Sequence, residues 1–334
     1  MTLTATTQPI FSPRPKPVLT RPIEIREGVA MRPGILSDDP SLIEGAPPPR
    51  MRILSDRPAP VLTTPIPAPL PTPDLPRVVS IGSILQGGRW RTEAMRSHSR
   101  PVLYWFTRGQ GRATISGRTR GFTPHTAFLL PPGTMHGFDM IGQVTGMLVF
   151  LPRAMAGAFG PDPLRLSFRD GQRQMELTAL IDALRAAADI DDALADEALG
   201  HHAGLLAIWL KRAESETAVP AGHDLARRFT AMIETDFGRG LTVADYAARI
   251  GVTPTHLSRV CRAACGRSAH TILTSRRLYE AQTRLADGTD PVAEIAHASG
   301  FGSPAYFARA FRKATGRSPS DFRRSASRQI PFPT

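Results

Sequence analysis

Apolar and polar positions follow three different rhythms along the chain, and each predicts a different structure. From Arg77 to about Phe150 the apolar residues come in short β-branched and aromatic runs, PVLYWFTRG, RATISG and TAFLLPPG, separated by Gly and Pro. Such runs predict strands, and strands at this spacing predict a β-sandwich or barrel. Alternation along VLYWF puts Tyr104 and Phe106 on one face and Leu103 and Trp105 on the other. Beyond residue 152 the period lengthens. QMELTALIDALRAAA places Met175, Leu177, Leu180, Ile181 and Leu184 along a helical stripe, and LADEALGHHAGLLAIWLKRA does so with Leu194, Leu205, Leu206, Trp209 and Leu210. These two helices need a surface to cover them: the barrel, each other, or a second copy of the chain.

The third rhythm is a repeat. TPTHLSRVCRAACGRS (Thr253 to Ser268) aligns with SPAYFARAFRKATGRS (Ser303 to Ser318) at a shift of 50 residues, and ADYAARIG aligns with AEIAHASG just upstream. Two copies of one supersecondary unit are implied. Each spells helix, tight turn, helix. In the first, Thr242 and Asp245 form a capping-box pattern, Gly251 supplies the turn, and Thr253-Pro254 gives an N-cap and an N1 proline. In the second, Asp290-Pro291 opens a helix, Gly300 and Gly302 flank the turn, and Ser303-Pro304 starts the next helix. Leu257, Val260 and Cys261 match Phe307, Ala310 and Phe311 on the packed faces, leaving Arg259 and Arg309 off the stripe. Between the copies one helix, N-capped by Ser268 and closed by Gly288, would be about 28 Å long. That is close to the roughly 34 Å between successive major-groove faces of B-DNA.

Composition divides the rest. Residues 1–76 hold 18 of the 32 prolines and are expected to be a disordered or polyproline-like arm. An arm that contacts a partner and a start assigned too far upstream are the alternatives there. ESETAVPAGHD is expected to be a linker. Net charge is +12, carried almost wholly by arginine, and residues 222–334 supply +8 of it, with 17 basic against 9 acidic side chains. Positive charge gathered on one domain is the footprint of a polyanionic partner. The two cysteines, Cys261 and Cys265, stand four apart on one helix, unsuited to a disulfide, and are expected to be buried. No run has the length of a membrane span or a signal peptide, so a cytoplasmic protein with no membrane partner is expected.

The order LTVADYAARIGVTPTHLSRVCRAACGRS, RRLYEAQTRLADG, PVAEIAHASGFGSPAYFARAFRKATGRSPSDFR resembles the AraC-type DNA-binding domain throughout. The resemblance implies that the start of each second helix reads bases, with Thr255, Ser258 and Arg259 in the first copy and Ala305, Tyr306 and Arg309 in the second. Arg262, Arg312, Lys313 and Arg317 would hold phosphates. Cys261 departs from the aromatic found at Phe311, which loosens that half of the core.

RSHSRPVLYWFTRGQGRATISGRTRGFTPHTAFLLPPGTMHGFD in turn resembles the cupin-like ligand-binding domain that commonly precedes this DNA-binding domain, through His98, a Gly109/Gly111 turn, and Pro132-Gly133 before His136. An enzymatic cupin needs two closely spaced histidines, a glutamate and a later histidine; Ser97-His98-Ser99 offers one histidine and no glutamate follows. No metal, cofactor or catalytic residue is therefore assigned, although His98, His125 and His136 are the set a metal would use. The effector candidates are Trp90, His98, Tyr104, Phe106 and His136. The expected architecture is α+β and multidomain: an arm (1–76), a cupin-like β-barrel sensor (77–152), a helical dimerisation segment (153–216) and an all-α domain with two helix-turn-helix units (222–328). The expected partners are double-stranded DNA, a small-molecule effector, a second copy as homodimer and, for an activator, RNA polymerase. A metal-dependent cupin enzyme with a DNA-binding tail and a charge-driven, nonspecific nucleic-acid binder are the rival readings.

Overall fold

The computed structural model describes residues 74–86, 88–215 and 224–326. The expectation of a disordered arm therefore lies outside the described residues, apart from Asp74 to Pro76. Those are held to the sheet: Arg100 pairs with Asp74 at 3.1 Å and donates to the Leu75 carbonyl at 2.6 Å.

The N-terminal half is one antiparallel sheet of β1 (Arg77–Ser80), β2 (Val102–Ile115), β3 (Arg118–Phe122), β4 (Thr126–Leu130), β5 (His136–Phe150) and β6 (Leu164–Ser167), in the order β1-β5-β2-β4-β6 with β3 also on β2. Two short helices, α1 (Ile81–Gln86) and α2 (Trp90–Glu93), follow β1. The sheet curls on itself, because Phe122 of β3 and Phe128 of β4 meet edge to face across its interior at 6.2 Å. Tyr104, Phe106, Phe122, Phe128, Phe138 and Phe150 fill that interior. Burying one such ring is worth about 2 kcal/mol, so the aromatics dominate this core. Leu103 and Trp105 face the other way, as alternation requires.

Two expectations are corrected here. Gly109 and Gly111 form no turn; they lie inside the single strand β2, at a bulge opposite β5. Gly109 has φ +85°, and a Cβ there would stand 2.5 Å from the Gln143 carbonyl oxygen. Only glycine lets the two long strands approach and bend there. The sheet also runs past residue 152, since β6 pairs with β4 from Thr126 to Leu129.

The helices α3 (Gly171–Ala188) and α4 (Ala195–Ser215) cover the outer face of the sheet. Leu177, Ile181 and Leu184 with Leu199, Ala203, Leu206 and Leu210 pack on Leu103, Trp105 and Val149. The expected stripes are rotated in part, because Met175, Leu194 and Leu205 stand exposed.

The C-terminal half is helical: α5 (Asp224–Asp236), α6 (Val243–Ile250), α7 (Pro254–Cys265), α8 (Ala269–Asp287), α9 (Val292–Ala298), α10 (Pro304–Thr315) and α11 (Pro319–Ala326). Thr242 and Asp245 make the complete capping box of α6, and Thr253, Ser268 and Ser303 each cap the helix they precede. Asp290 does not cap α9; Pro291 takes the N-cap position, and the Asp290 carbonyl accepts from Arg323 instead. Each unit has its own core. Phe229, Ile233, Tyr246, Leu257 and Cys261 build the first, and Ile295, Phe301, Phe307, Phe311 and Phe322 the second. Burial pushes the Cys261 thiol up to about 12, so it stays protonated and inert.

Candidate functional site

On α7 and α10 burial separates packing from display. Leu257 and Cys261, like Phe307 and Phe311, are fully buried, while Thr255, Arg259, Ala305, Tyr306 and Arg309 are exposed and Ser258 is half-buried. The same N-cap and N1 proline start both helices, so their first turns present backbone N–H groups and these side chains in the same way. Arg262, Arg312, Lys313 and Arg317 are exposed along the flanks. Two candidate readers have partners within the chain: Arg259 Nη2 lies 3.0 Å from His256 Nδ1, and Tyr306 Oη lies 3.1 Å from His270 Nε2.

The connecting helix α8 is held by two buried arginines that point inward, away from any polyanion. Arg276 pairs with Glu234 of α5 at 2.9 Å and with Glu280 at 3.2 Å, its guanidinium 3.8 Å from the Phe237 ring centre. Arg277 donates to the carbonyls of Phe237 and Leu241 at 3.0 and 2.7 Å. Their signal was in the sequence: both stand four residues after apolar positions, Ile272 and Leu273, on the packed stripe of the helix.

The two halves of the chain share a seam. Met95 and Met135 of the sheet half enter the core of the first helical unit, Met95 N donates to Ser275 Oγ at 3.1 Å, and Ser97 Oγ donates to Glu234 Oε2 at 2.6 Å. Trp90, one of the effector candidates of the sheet half, is on α2 and packs outward on the second unit. Its ring lies 5.7 Å from Tyr279 and 5.7 Å from Phe322. A run of small and polar residues around it forms a short helix rather than a strand, which removes it from the sheet's alternation. Beside it lies a groove of about 1100 Å³ with Gln86, Arg89 and Glu93 on one wall and Tyr306, Arg309 and Lys313 of α10 on the other.

The remaining effector candidates divide. Phe106 lies deep in the apolar interior, stacked on Phe122 at 4.2 Å. Tyr104, His98 and His136 gather at one end of it around Arg96, which the sequence reading did not single out because it sits in no repeat or periodic run. Arg96 Nη2 donates to Tyr104 Oη at 3.0 Å, and Tyr104 Oη lies 2.9 Å from His136 Nε2. His136 Nδ1 lies 2.8 Å from the Thr134 carbonyl, so Nδ1 carries the proton and Nε2 accepts from the tyrosine. Burial, then the Arg96 charge, holds His136 well below its ordinary value; burial, then Arg96 and Arg276, lowers His98 to about 3. Both imidazoles are neutral. The His98 and His136 rings are 5.2 Å apart, but His125 lies on the outer face beside Trp105, so the three histidines do not converge.

Two family profiles match the chain: "AraC-like ligand binding domain" over residues 81–203 and "Helix-turn-helix domain" over residues 246–325. Among curated proteins, the arabinose operon regulatory protein of Escherichia coli (strain K12) is 25% identical over 255 residues, 69% of this chain and 82% of that protein. The uncharacterised HTH-type transcriptional regulator YijO of the same organism is 35% identical over 98 residues, 29% of this chain and 35% of its own length. GlxA, an HTH-type transcriptional regulator of Rhizobium meliloti (strain 1021), is 32% identical over 126 residues, 35% of this chain and 39% of its own. The chain thus spans little more than a third of two of these relatives and most of the third. Among solved structures, apo ToxT K231A from Vibrio cholerae aligns with 75% of this chain and 97% of its own at 13% identity and a TM-score of 0.42. With a ligand-binding profile on the sheet half, a helix-turn-helix profile on the helical half, and transcription regulators among its relatives, the chain belongs to the AraC family of DNA-binding transcription regulators.

Proposed function

We propose that this regulator reads DNA through both α7 and α10 and that the sheet half controls α10 in response to a small molecule. The observation that carries the reading is the shared wall of the groove: Tyr306 and Arg309 face α1 and α2 across it. A duplex seated on α10 must share or displace that wall, so sensor and DNA compete for one helix. The base readers are Thr255, Ser258 and Arg259 on α7 and Ala305, Tyr306 and Arg309 on α10; Arg262, Arg312, Lys313 and Arg317 neutralise phosphates. The effector end of the sheet half is Tyr104, His98 and His136 with Arg96. The segment from Met95 to His98 carries its state to the helical half, because it touches both His136 and Glu234. Binding, not turnover, is the role of this half. RNA polymerase contact follows if the regulator activates, and the cytoplasm is its place of action. A homodimer would form through α4 and the turn before it, where Leu205 and Ile208 of the helix and Leu194 just ahead of it are 54%, 51% and 64% exposed. Sedimentation equilibrium of Leu205→Glu beside the unaltered chain tests that pairing.

The central test is selection of random duplex DNA by the full chain. The expected outcome is convergence on two short blocks about 10 base pairs apart, with at least about 1000-fold preference over unrelated DNA. Binding that falls steeply with salt but is equal on all duplexes would establish the charge-driven rival instead.

A further inference from the structure

Arg96 is a fully buried cation without a carboxylate partner among the described residues, its guanidinium 5.9 Å from the Tyr279 ring centre. Its side chain is 0% exposed, and beyond the bond from Nη2 to Tyr104, its Nε and Nη1 find no acceptor. Among the described residues no carboxylate lies within ion-pair distance of it. The neighbouring Arg276 is matched by Glu234 and Glu280, and Glu280 is matched again by Arg284 at 2.9 Å. Counting these five groups leaves one positive charge, that of Arg96. His98 Nε2 is likewise buried without a partner, in an imidazole that feels the Arg96 charge. Tyr104 already directs its own proton to His136, so it cannot relieve the guanidinium.

A buried, uncompensated guanidinium costs far more than an unmade neutral hydrogen bond, and hydrophobic replacement of such a group generally stabilises a protein. Groups kept at that cost gather where a ligand is recognised. We propose that Arg96, with His98, is the recognition group for a monocarboxylate carried by the small molecule that the sheet half takes, an inference resting on the ligand-responsive reading above. The charge selects the class. One carboxylate balances one residual cation, whereas a phosphate near −2 would leave a buried anion with two neutral imidazoles. The edges around the cluster are apolar: Phe150 meets His98 edge to face at 5.2 Å and Phe138 lies 4.4 Å from Tyr104, so the body of the molecule is apolar. The orphan nitrogens are closed to solvent. Entry therefore shifts the Met95–His98 segment, the same one whose Ser97 holds Glu234.

The test is thermal unfolding of the full chain at pH 7.5 and matched ionic strength, with 10 mM phenylacetate or its uncharged isostere phenylacetamide. At a Kd of about 1 mM the acid raises Tm by about 3–5 °C and the amide leaves it unchanged. Arg96→Met, without additive, melts no lower than the unaltered chain and no longer responds to the acid. Arg96→Gln, which keeps a donor for Tyr104, behaves the same way and guards against a packing defect in the methionine variant. Equal shifts from acid and amide, no shift from either, or Tm losses in both variants without additive would each overturn the carboxylate assignment. Selection of DNA by Arg96→Met separates the two readings: retained sequence preference leaves the regulator intact while the carboxylate fails.

Discussion

Trp90→Ala tests whether the sheet half restrains the second recognition helix. Trp90 is the one aromatic of α2 in the second unit's core, in contact with Tyr279 and Phe322, and the Arg91 guanidinium lies 5.0 Å from its ring centre. The side chain is half-buried, so its removal costs about 2 kcal/mol, roughly half of the loss expected for a fully buried tryptophan. That energy belongs to the contact between the halves and to neither fold alone. If DNA and α2 compete for α10, weakening the contact by 2 kcal/mol raises the fraction of chains with α10 free by up to about 30-fold, and apparent DNA affinity rises with it. Fluorescence anisotropy with the selected duplex, at one salt concentration, reads the change. Trp90→Phe keeps a ring against Phe322 and should stay within a few-fold of the unaltered chain. A Trp90→Ala protein that melts lower yet binds its site with unchanged or weaker affinity would refute the competition.

Three further outcomes are expected. Inserting about 5 base pairs between the two selected blocks turns one to the far side of the duplex, so affinity falls to that of a single block, and Arg309→Ala then costs nothing where on the intact site it costs about 1–3 kcal/mol; equal affinity for both sites in a gel shift would leave one reading helix. Gly300→Ala should lose about 2–4 kcal/mol in urea unfolding, because Gly300 has φ +81° and a Cβ there would stand 2.0 Å from the Phe237 carbonyl oxygen; Gly316→Ala, at φ +74° with nothing within 4 Å, should lose only about 1 kcal/mol, and equal losses would show that the contact with Phe237 is immaterial. Because His98 and His136 have folded values below the ordinary 6.5, the unfolded chain binds more protons below that pH, so their contribution is complete above pH 6.5 and stability declines as pH falls; at pH 5.5 each costs about 1 kcal/mol, and a pH dependence of unfolding unaltered in His98→Asn would contradict it.

What the sequence made legible was whatever repeats or alternates. The capping residues Thr242, Thr253 and Ser303 act through bonds to their own next three residues, so local sequence decides them. The split of Tyr104 and Phe106 from Leu103 and Trp105 follows from a strand period of two. The misses are residues whose role depends on a distant partner. Asp290 falls one residue short of the N-cap, which Pro291 takes, and its carbonyl accepts from Arg323, 33 residues on. Trp90 finds Phe322, and Arg96 acquires its meaning only when the strand carrying His136 lies against it, since the two residues exchange backbone bonds at 2.9 and 2.7 Å. Gly109 and Gly111 were read as a turn because a bulge with close strand approach uses the same residue as a reversal does.

The two recognition helices, alike in sequence, are unlike in their relation to the sheet half. The first unit is joined to it by packing: Met95 and Met135 are 1% and 2% exposed in its core, and Ser97 completes the polar end of Glu234. Opening that contact would expose two methionines and strip a buried carboxylate of a donor, so the first unit moves with the sensor or pays in its own stability. The second unit meets the sheet half across Trp90, through the charge of Arg91 near Asp287 and Tyr279, through Arg96 at 5.9 Å from the Tyr279 ring centre, and along an open groove. Separation there exposes the half-buried Trp90 ring and parts the buried Arg91 from Asp287, while Phe307 and Phe311 keep their contact with each other. If the effector is sensed at Arg96 as proposed, its signal would have two unequal routes. Through Met95 and Ser97 it would work against the packed core of α5 and α8, whereas at α2 it would work only against the looser contact beside α10. Sequence preference contributed by α7 should accordingly persist with and without effector, and the block read by α10 should be the one whose protection in a footprint changes.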